Sequence, residues 1–472
     1  MSLHFHNTYT RKIEPFVPLN PDGHSVSLYT CGPTVYDYAH IGNFRAYVFE
    51  DLLQRHLEAR GYVVHRVMNL TDVDDKTIRG ACEKKIPLAD YTQPFKEAFF
   101  ADCEALHLRQ ANTYPEATGP ENIARMIAMI STLMERGHAY QAEDGSVYFR
   151  ITSFPDYGKL AHVDLEAQRP SGRVEHDEYE KEQIADFALW KKWTLQDGNV
   201  AWESPWGRGR PGWHIECSAM AMGIFGDQLD IHCGGIDNIF PHHEAEIAQC
   251  ECVTGKPFVG LWMHCAHLMV EGSKMSKSAG NFYTPRELMR QGWRGREIRY
   301  ALLSVHYRAS LNFTIEGLEA ARQSLHRIDE WQRRLNDSLS SPPLKNIEPL
   351  ETLGKIKLLA FFEALDDDLN ISAALAVLFD VIRESHRLLD ASVMKKEEVH
   401  ALLAWWKKVE SVLAIATKED EKIPEEILAL LELRKTARDH KDWVMSDRLR
   451  DELTALGWQV KDTKDGAIAQ RH

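Results

Sequence analysis

The stretch that decides the fold begins with Ser25-Val26-Ser27-Leu28-Tyr29-Thr30 and ends with Tyr62-Val63-Val64-His65-Arg66-Val67-Met68. Both runs are rich in β-branched and aromatic residues and predict strands. Between them, apolar residues recur at helical spacing and a glycine follows where the helix would end: Val48, Leu52, Leu53, Leu57 and Gly61. A strand, a helix and a second strand in this order form a βαβ unit, which predicts a parallel sheet.

Residues with chemically useful side chains follow these predicted strands: Cys31, His40 and Thr71. Because ligands of parallel sheets bind beyond the carboxyl ends of the strands, we expect all three near a binding site. Further along, residues 85–140 are mostly helical in pattern and 146–151 read as a strand. Residues 155–208 are polar, charged and turn-rich, which indicates an insertion. The sheet is expected to resume near Trp213 and to end at about residue 266.

We therefore predict an α/β fold: a Rossmann-like parallel-sheet catalytic domain with an insertion, followed by an α-helical bundle and a small C-terminal unit with a terminal hairpin. The predicted boundaries are 1–120 and 209–265 for the two halves of the catalytic domain, 121–208 for the connective insertion, 266–314 for a connecting domain, 315–415 for the helical bundle and 421–472 for the C-terminal unit. A proline-rich break at 341–343 interrupts the helical pattern of the bundle.

Composition narrows the class of protein. The chain has 472 residues, a net charge of −14 and eight irregularly spaced cysteines, which do not make a disulfide framework. The N-terminus does not resemble a signal peptide and no apolar run is long enough for a membrane span, so a reduced, cytoplasmic protein is expected. The acidic balance argues against broad non-specific binding of nucleic acid, but it does not exclude a specific RNA partner.

A candidate metal site lies in the second half of the predicted sheet. Cys217 ends Gly212-Trp213-His214-Ile215-Glu216-Cys217, and His242 and Glu246 stand four apart in Phe240-Pro241-His242-His243-Glu244-Ala245-Glu246. A thiolate, an imidazole and a carboxylate are the ligands of zinc, and Cys31 is the best candidate for the fourth. The alternative is a buried core cysteine beside an ordinary surface or capping pair. A metalloprotease is disfavoured because Ile247 stands where a second histidine would be needed.

Two further motifs point to a polyphosphate substrate. His40-Ile41-Gly42-Asn43 stands where a loop enters a helix, a place suited to bind phosphates, although a capping turn is an equal alternative. Lys274-Met275-Ser276-Lys277-Ser278 lies between glycines, and two lysines on a flexible loop can stabilise the charge that develops on pyrophosphate. Taken alone, that loop would read as an ordinary solvated segment.

The motifs together, in this order, resemble the cysteinyl-tRNA synthetase family of class I aminoacyl-tRNA synthetases over essentially the whole chain. The resemblance implies L-cysteine, ATP and tRNA(Cys) as substrates, with magnesium accompanying ATP. It implies one zinc per subunit held by Cys31, Cys217, His242 and Glu246, and a metal-bound cysteine thiolate. Serine would then be rejected at binding, since zinc prefers a thiolate to a neutral hydroxyl. A monomer is expected.

The resemblance also implies roles for individual residues. Thr71 and Trp213, together with Cys31, would shape the amino-acid pocket. The two motifs would supply the catalytic residues His40, Asn43, Lys274 and Lys277. In the first motif, Asn43 replaces the histidine that usually stands last. The nucleotide would meet His40, Asn43, Gly235, Asp237 and Lys277. Because asparagine cannot carry a positive charge, Asn43 can act only as a neutral hydrogen-bonding group.

The C-terminal unit, 421–472, would read the anticodon. Arg438, Trp443, Asp447 and Asp462 match positions that carry this role in the family. An aromatic ring for stacking, with polar groups for base edges, is how unpaired RNA bases are recognised. The alternative is that Trp443 belongs to the core of a small helical pair.

Two other functions stay open at the level of sequence. A related ligase activates cysteine as an adenylate but joins it to an amino sugar, and such proteins lack an anticodon unit. A non-catalytic paralogue would bind only tRNA or zinc. The presence of residues 421–472 argues against the first alternative, and the intact set of His40, Lys274, Lys277 and zinc ligands argues against the second.

Overall fold

The computed structural model describes residues 2–163, 173–174, 185–275, 280–340, 355–417, 425–463 and 466–471. The first part of the chain contains two short strands, the βαβ unit and the helices behind it. Its elements are β1 (His4–Asn7), β2 (Lys12–Pro15), β3 (Ser25–Thr30), α1 (Ile41–Ala59), β4 (Val63–Met68), α2 (Asp75–Lys84), α3 (Leu88–Ala105), α4 (Pro120–Glu135), β5 (Ala139–Gln141) and β6 (Val147–Phe149).

The middle of the chain completes the insertion and the central sheet. Its elements are β7 (Arg173–Val174), β8 (Asp186–Lys192), β9 (Gly209–Pro211), α5 (Trp213–Phe225), β10 (Leu229–Gly235), α6 (Glu244–Thr254), β11 (Val259–Cys265), β12 (Leu268–Val270) and β13 (Ser273–Lys274). The remainder is mainly helical. Its elements are α7 (Pro285–Arg290), α8 (Gly295–Leu303), β14 (Leu311–Phe313), α9 (Ile315–Ser340), α10 (Lys355–Asp366), α11 (Ile371–Asp390), α12 (Lys396–Leu413), α13 (Glu425–Asp439), α14 (Trp443–Ala455), β15 (Trp458–Thr463) and β16 (Gly466–Arg471).

The central sheet has the strand order β11-β10-β3-β4, and every neighbouring pair is parallel. This confirms the predicted βαβ unit. The four apolar residues predicted to face the core from α1 are all buried: Val48, Leu52, Leu53 and Leu57. The chain leaves β3 towards β4 on one side of the sheet and returns through β10 to β11 on the other. The order therefore reverses between β3 and β10, which is where such sheets bind ligands.

The insertion departs from its predicted character. Its sheet has the order β5-β6-β8-β7, with β9 paired to β8, and β8 lies in the stretch that we interpreted as polar and turn-rich. That interpretation missed a strand because Phe187, Ala188, Leu189 and Trp190 form a short apolar run without alternation between charged flanks. All four are buried, as expected for a strand covered on both faces.

Helix α1 connects the sheet edge to the helical part of the molecule. Its first residue follows His40, and its side chains further along form a buried ion pair and a buried hydrogen bond with other helices. Asp51 and Arg299 of α8 are both fully buried and 2.5 Å apart, while His56 lies 3.0 Å from Asp366 at the end of α10. The start of α1, at the strand ends, is therefore held in a fixed position relative to the rest of the chain.

The C-terminal elements have the predicted form. Helices α13 and α14 pack together, and β15 pairs with β16 in an antiparallel hairpin. The proline-rich break at 341–343 lies outside the described residues. Among the described residues, no helix is both long and apolar enough to cross a membrane.

Candidate metal centre and active site

Four side chains converge beyond the carboxyl ends of β3 and β10. Cys31, His242, His243 and Glu246, here called the metal cluster, offer ligand atoms that all lie within 4.8 Å of one another. Cys31 directly follows β3, whereas the other three come from the turn before α6 and from its first residues. Because β10 neighbours β3 and leads into that turn, the sheet brings the two sequence segments together. The Cys31 Sγ lies 3.2 Å from His243 Nε2, and His242 Nε2 lies 3.1 Å from Glu246 Oε1.

Cys217 lies beside this cluster. It is buried on α5 and forms hydrogen bonds with the side chains of Cys31 and His242. The hydrogen bond from the Cys31 thiol to the Cys217 sulfur lowers the pKa of Cys217 and raises the pKa of Cys31. The structure thus brings together all four residues predicted as zinc ligands, and it adds His243 as a fifth donor. The two adjacent histidines at 242 and 243 were the signal for this residue, but the predicted ligand set contains only the first of them.

His243 is part of a chain of hydrogen bonds. Its Nδ1 lies 2.8 Å from Nε2 of His264, and Nδ1 of His264 lies 2.8 Å from the Thr8 hydroxyl oxygen. Burial lowers the pKa of His243 well below its usual value and lowers that of His264 to about 3, so both rings are neutral. A neutral imidazole that uses one nitrogen for a hydrogen bond has its other nitrogen oriented for a metal.

Two more histidines support the remaining donors. His232 Nε2 lies 3.1 Å from Glu246 Oε2, the oxygen that does not face His242, and both side chains are fully buried. His214 Nδ1 lies 3.1 Å from His242 Nδ1. Sequence reasoning missed these supporting residues, because a histidine inside a strand or helix has no recognisable spacing to its partner.

Trp213 forms one wall of the site. Its ring stacks on His242 with a centroid distance of 4.3 Å and an interplanar angle of 17°. The tryptophan begins α5, directly after Gly212, where a Cβ atom would stand 2.0 Å from the carbonyl oxygen of Ala188 in β8. A glycine is therefore required for the insertion to pass this close to the start of α5, and this contact positions Trp213.

Thr71 lies where the loop after β4 meets the loop after β3. Its amide donates to the carbonyl of Pro33 at 3.1 Å, and its carbonyl accepts from the amide of Val35 at 3.0 Å. The threonine is 2 % exposed. These backbone contacts bring it close to the Cys-Gly-Pro segment that carries Cys31, so Thr71 borders the metal cluster's loop as expected.

The structure also brings together the two motifs that were predicted to bind the nucleotide. His40 caps α1: its Nδ1 accepts from the Asn43 amide at 3.2 Å, and Asn43 Oδ1 accepts from the His40 amide at 3.0 Å. A Cβ on Gly42 would stand 3.3 Å from the methyl of Met275, the second residue of the lysine motif. Lys274 is exposed on β13, whereas Lys277 lies outside the described residues.

Gly235 and Asp237 occupy the end of the neighbouring strand. Gly235 is the last residue of β10, and its amide donates to the Asn238 side chain at 3.1 Å. Asp237 is exposed in the turn that follows. Both residues therefore lie at the same sheet edge as Cys31, next to the point where the strand order reverses.

The predicted anticodon residues are separate from this site in the sequence and lie on the C-terminal helices and hairpin. Trp443 begins α14 and is 58 % exposed, which rules out the alternative that it is a core residue. The guanidinium of Arg438 lies 5.9 Å from the centre of its ring. Asp447 is exposed and pairs with Arg450 at 3.2 Å. Asp462 lies in β15, and its side chain is outside the described part of the structure.

The remaining cysteines near the site in sequence are core residues: Cys233, Cys250, Cys252 and Cys265 are all buried. Burial raises the pKa of each of these thiols. They are therefore protonated and unreactive in this fold.

Three family models match the chain in the order of its parts. Residues 17–323 match the class I (C) tRNA synthetase catalytic domain, residues 360–417 match the DALR domain, and residues 420–467 match the cysteinyl-tRNA ligase anticodon binding domain. The third match argues against a ligase that lacks an anticodon unit.

Curated relatives agree over the full length. The cysteine–tRNA ligase of Chlamydia muridarum is 50% identical over 475 residues, covering 99% of this chain and 99% of its own length. That of Protochlamydia amoebophila is 48% identical over 475 residues, covering 98% of this chain and 97% of its own.

Solved structures share the fold at low sequence identity. Mycobacterium tuberculosis methionyl-tRNA synthetase in complex with methionyl-adenylate has a TM-score of 0.62 at 15% identity and covers 90% of this chain and 96% of its own. A LeuRS–tRNA–LeuAMS complex from Agrobacterium radiobacter has a TM-score of 0.59 at 12% identity, covering 85% and 84%. On the strength of the full-length relatives and the three family models, this chain belongs to the cysteinyl-tRNA synthetases, the class I family of cysteine–tRNA ligases.

Proposed function

We propose that this synthetase activates L-cysteine with ATP at the edge of the central sheet and selects it through a zinc ion held beside Cys31. The cysteine carboxylate attacks the α-phosphate of ATP, which forms cysteinyl-adenylate and releases pyrophosphate. The 2′-hydroxyl of the terminal ribose of tRNA(Cys) then attacks the carbonyl carbon of the adenylate and takes the acyl group, and AMP is released. The observation that carries this proposal is the metal cluster at the reversal of strand order, with Cys217 and Trp213 beside it.

The donor set fits zinc. Two cysteine sulfurs, two imidazoles and one carboxylate are the ligand types that this ion prefers. The donor atoms of Cys31, His242, His243 and Glu246 lie within 4.8 Å of one another, and Cys217 forms hydrogen bonds with two of these residues. The neutral state of His243 leaves this imidazole available as an alternative donor. When bound, zinc would take the cysteine thiolate as a ligand and would bind the neutral hydroxyl of serine far more weakly.

We propose Cys31, Cys217, His242 and Glu246 as the ligands. The mutual hydrogen bond of the two cysteines supports this set, because a metal that binds both sulfurs would replace the shared proton. The Nε2–H of His243 then donates to the Cys31 sulfur at 3.2 Å and orients it. The alternative set has His243 in place of Cys217.

The chain's own residues would position the nucleotide. His40 and Asn43 at the start of α1 and Lys274 and Lys277 in the lysine motif would bind and stabilise the phosphates. The proximity of Met275 to Gly42 supports joint action of the two motifs. Because the Asn43 oxygen caps α1, its amide NH₂ is the group available to a phosphate. Gly235 and Asp237 would meet the adenosine, and magnesium would accompany ATP.

The C-terminal unit, 421–472, would bind the anticodon. The exposure of Trp443 supports a stacking role, with the Arg438 guanidinium over the ring at 5.9 Å from its centre. Asp447 and Asp462 are nearby in sequence. We also propose that the chain is divided into the domains predicted from the sequence, from the first at 1–120 to the last at 421–472. We also propose that the protein acts as a monomer in the cytoplasm, where its irregularly spaced thiols would stay reduced.

The test is cysteine-dependent exchange of pyrophosphate into ATP, with serine as the competing amino acid. The wild-type protein is expected to exchange with cysteine only and to contain one zinc per chain by metal analysis. Cys217→Ser should lose both zinc and exchange, whereas Cys250→Ser, which changes a buried thiol outside the proposed ligand set, should keep both. Retention of zinc by Cys217→Ser together with its loss from His243→Ala would support the alternative ligand set.

A further inference from the structure

Asn69 connects the loop that carries Cys31 to Thr71. It follows the end of β4, is 1 % exposed, and uses both ends of its side-chain amide. Its Oδ1 accepts from the Gly32 amide at 3.0 Å, and its Nδ2 donates to the Thr71 Oγ1 at 3.1 Å. One side chain thus spans the peptide directly after a proposed zinc ligand and the hydroxyl of a proposed substrate-binding residue.

The orientation of this amide is fixed by chemistry. A backbone N–H can only donate, so the Gly32 amide requires the oxygen of Asn69 on its side. The NH₂ group must then face Thr71, and the Thr71 oxygen must be the acceptor in that bond. A hydroxyl has one hydrogen and two lone pairs, so Thr71 keeps its hydrogen for another partner.

No described group accepts that hydrogen. The Thr71 side chain is buried, and Asn69 is its hydrogen-bond partner among the described residues. A buried donor without an acceptor costs stability unless a ligand or water satisfies it. The hydrogen of the Thr71 hydroxyl is therefore available to an acceptor atom of a bound ligand.

We propose that Asn69 is a positioning residue that holds the Thr71 hydroxyl as a hydrogen-bond donor to an acceptor atom of the bound cysteine. This inference rests on the proposed function. The acceptor is a carboxylate oxygen or the sulfur, because the ammonium group of the amino acid can only donate. Asn69 also holds the Gly32 amide, so the donor and the Cys31 sulfur keep a fixed separation.

The packing supports a rigid arrangement. A Cβ on Gly32 would stand 1.8 Å from the carbonyl oxygen of Asn69, so the two backbones are as close as a glycine permits. The backbone hydrogen bonds of Thr71 with Pro33 and Val35 also hold the same two loops together. Rotation of the Asn69 amide would leave the Gly32 amide facing another donor, which the burial of the site makes costly.

The test reverses the polarity of the bond. In Asn69→Asp, one carboxylate oxygen still accepts from Gly32, but the other accepts the Thr71 hydrogen and withdraws it from the substrate. The KM for cysteine in pyrophosphate exchange is expected to rise about tenfold, as for the loss of one hydrogen bond. The same change is made in two matched backgrounds, Thr71→Ser, which keeps the hydroxyl, and Thr71→Val, which removes it.

The proposal expects Asn69→Asp to raise the KM for cysteine by the same factor in the wild-type and Thr71→Ser backgrounds, and to leave it unchanged in the Thr71→Val background. An equal penalty in all three would overturn it, because the new charge or a shift of Gly32 would then explain the effect. An unchanged KM in Thr71→Val alone would also overturn it, since Thr71 would not meet the substrate.

Two controls separate other failures. Zinc content and unfolding temperature are measured for every variant. If Asn69→Asp does not fold, Asn69→Ala takes its place; it is expected to raise the KM for cysteine a few-fold, and this increase should again vanish in the Thr71→Val background. A wild-type protein that shows no cysteine-dependent exchange would reject the proposed function itself, and the role of Asn69 with it.

Discussion

Replacing Gly32 by alanine is the sharpest perturbation of the site that does not touch a metal ligand. The glycine stands between Cys31 and the loop containing Thr71, and it has no side chain of its own to lose. A Cβ there would lie 1.8 Å from the Asn69 carbonyl oxygen and 2.9 Å from Cγ of Met68. The first neighbour is backbone at the end of a central strand, so it cannot rotate away as a side-chain end could.

The expected magnitude follows from this distance. Ordinary van der Waals contact begins at 3.4 Å, so the two loops would have to separate by about 1.6 Å. This displacement would move Cys31 relative to Thr71, between which the substrate cysteine is expected to bind. A misplacement of about 1 Å at a reacting centre can lower a rate by about a hundredfold. We therefore expect Gly32→Ala to lower kcat/KM for cysteine activation by about a hundredfold or more.

The assay is cysteine-dependent pyrophosphate exchange, with zinc content and unfolding temperature measured on the same preparation. Gly317→Ala is the matched control, because its Cβ on α9 would meet only the side-chain oxygen of Thr314, at 3.2 Å. That variant should exchange at the wild-type rate and be as stable or slightly more so, by up to about 1 kcal/mol. A folded Gly32→Ala protein with exchange within about threefold of wild type would refute the reasoning that this contact sets the geometry.

Four further outcomes are expected. Removal of the metal with a chelator should abolish cysteine-dependent exchange, and added zinc should restore it, which a titration of metal against activity measures. Burial raises the pKa of Glu244 to about 7, above its value in the unfolded chain. The stability that comes from keeping this carboxyl protonated is therefore fully present below pH 4.5 and is lost as the pH rises through about 7. The unfolding temperature of Glu244→Gln, measured against pH, should lack this decrease. Asp366→Asn should lower the free energy of unfolding by about 2 kcal/mol, measured by denaturant titration, because the charged partner of His56 and Arg60 is removed. Trp443→Ala should raise the KM for tRNA about tenfold in aminoacylation and leave pyrophosphate exchange unchanged, as for the loss of one stacked base.

The sequence predicts the parts of this fold that depend on local patterns. The βαβ unit follows from two strand-like runs and one helical period, and the structure confirms both strands, the helix and the parallel pairing. The structure also confirms the expected terminal hairpin. The strand β8 was missed because an unbroken apolar run gives no alternation, and only the surrounding insertion sheet decides that it is a strand.

Residue types and the family resemblance were enough to predict the proposed ligands of the site, but not the residues that support them. The side chains of Cys31, Cys217, His242 and Glu246 meet as expected, although Cys31 and Cys217 are far apart in the chain. The support around them was not predictable. A contact such as that between His243 and His264 depends on which strand ends the fold makes adjacent, and no spacing in the sequence encodes it.

The charge of the proposed ligands and the contacts of Glu246 explain how a bound metal could accept a substrate sulfur. Cys31, Cys217 and Glu246 would each bring a negative charge to a divalent ion, so the fully coordinated site would repel an incoming thiolate. Glu246 is the ligand that can best yield, because His232 holds its second oxygen at 3.1 Å whether or not the first one coordinates. The carboxylate would then leave the metal without becoming an unpaired buried charge, whose cost would otherwise oppose substrate binding. His232→Phe, which removes this anchor, is therefore expected to raise the KM for cysteine while zinc stays bound, and the electronic spectrum of a cobalt-substituted protein on addition of cysteine reports whether the coordination changes.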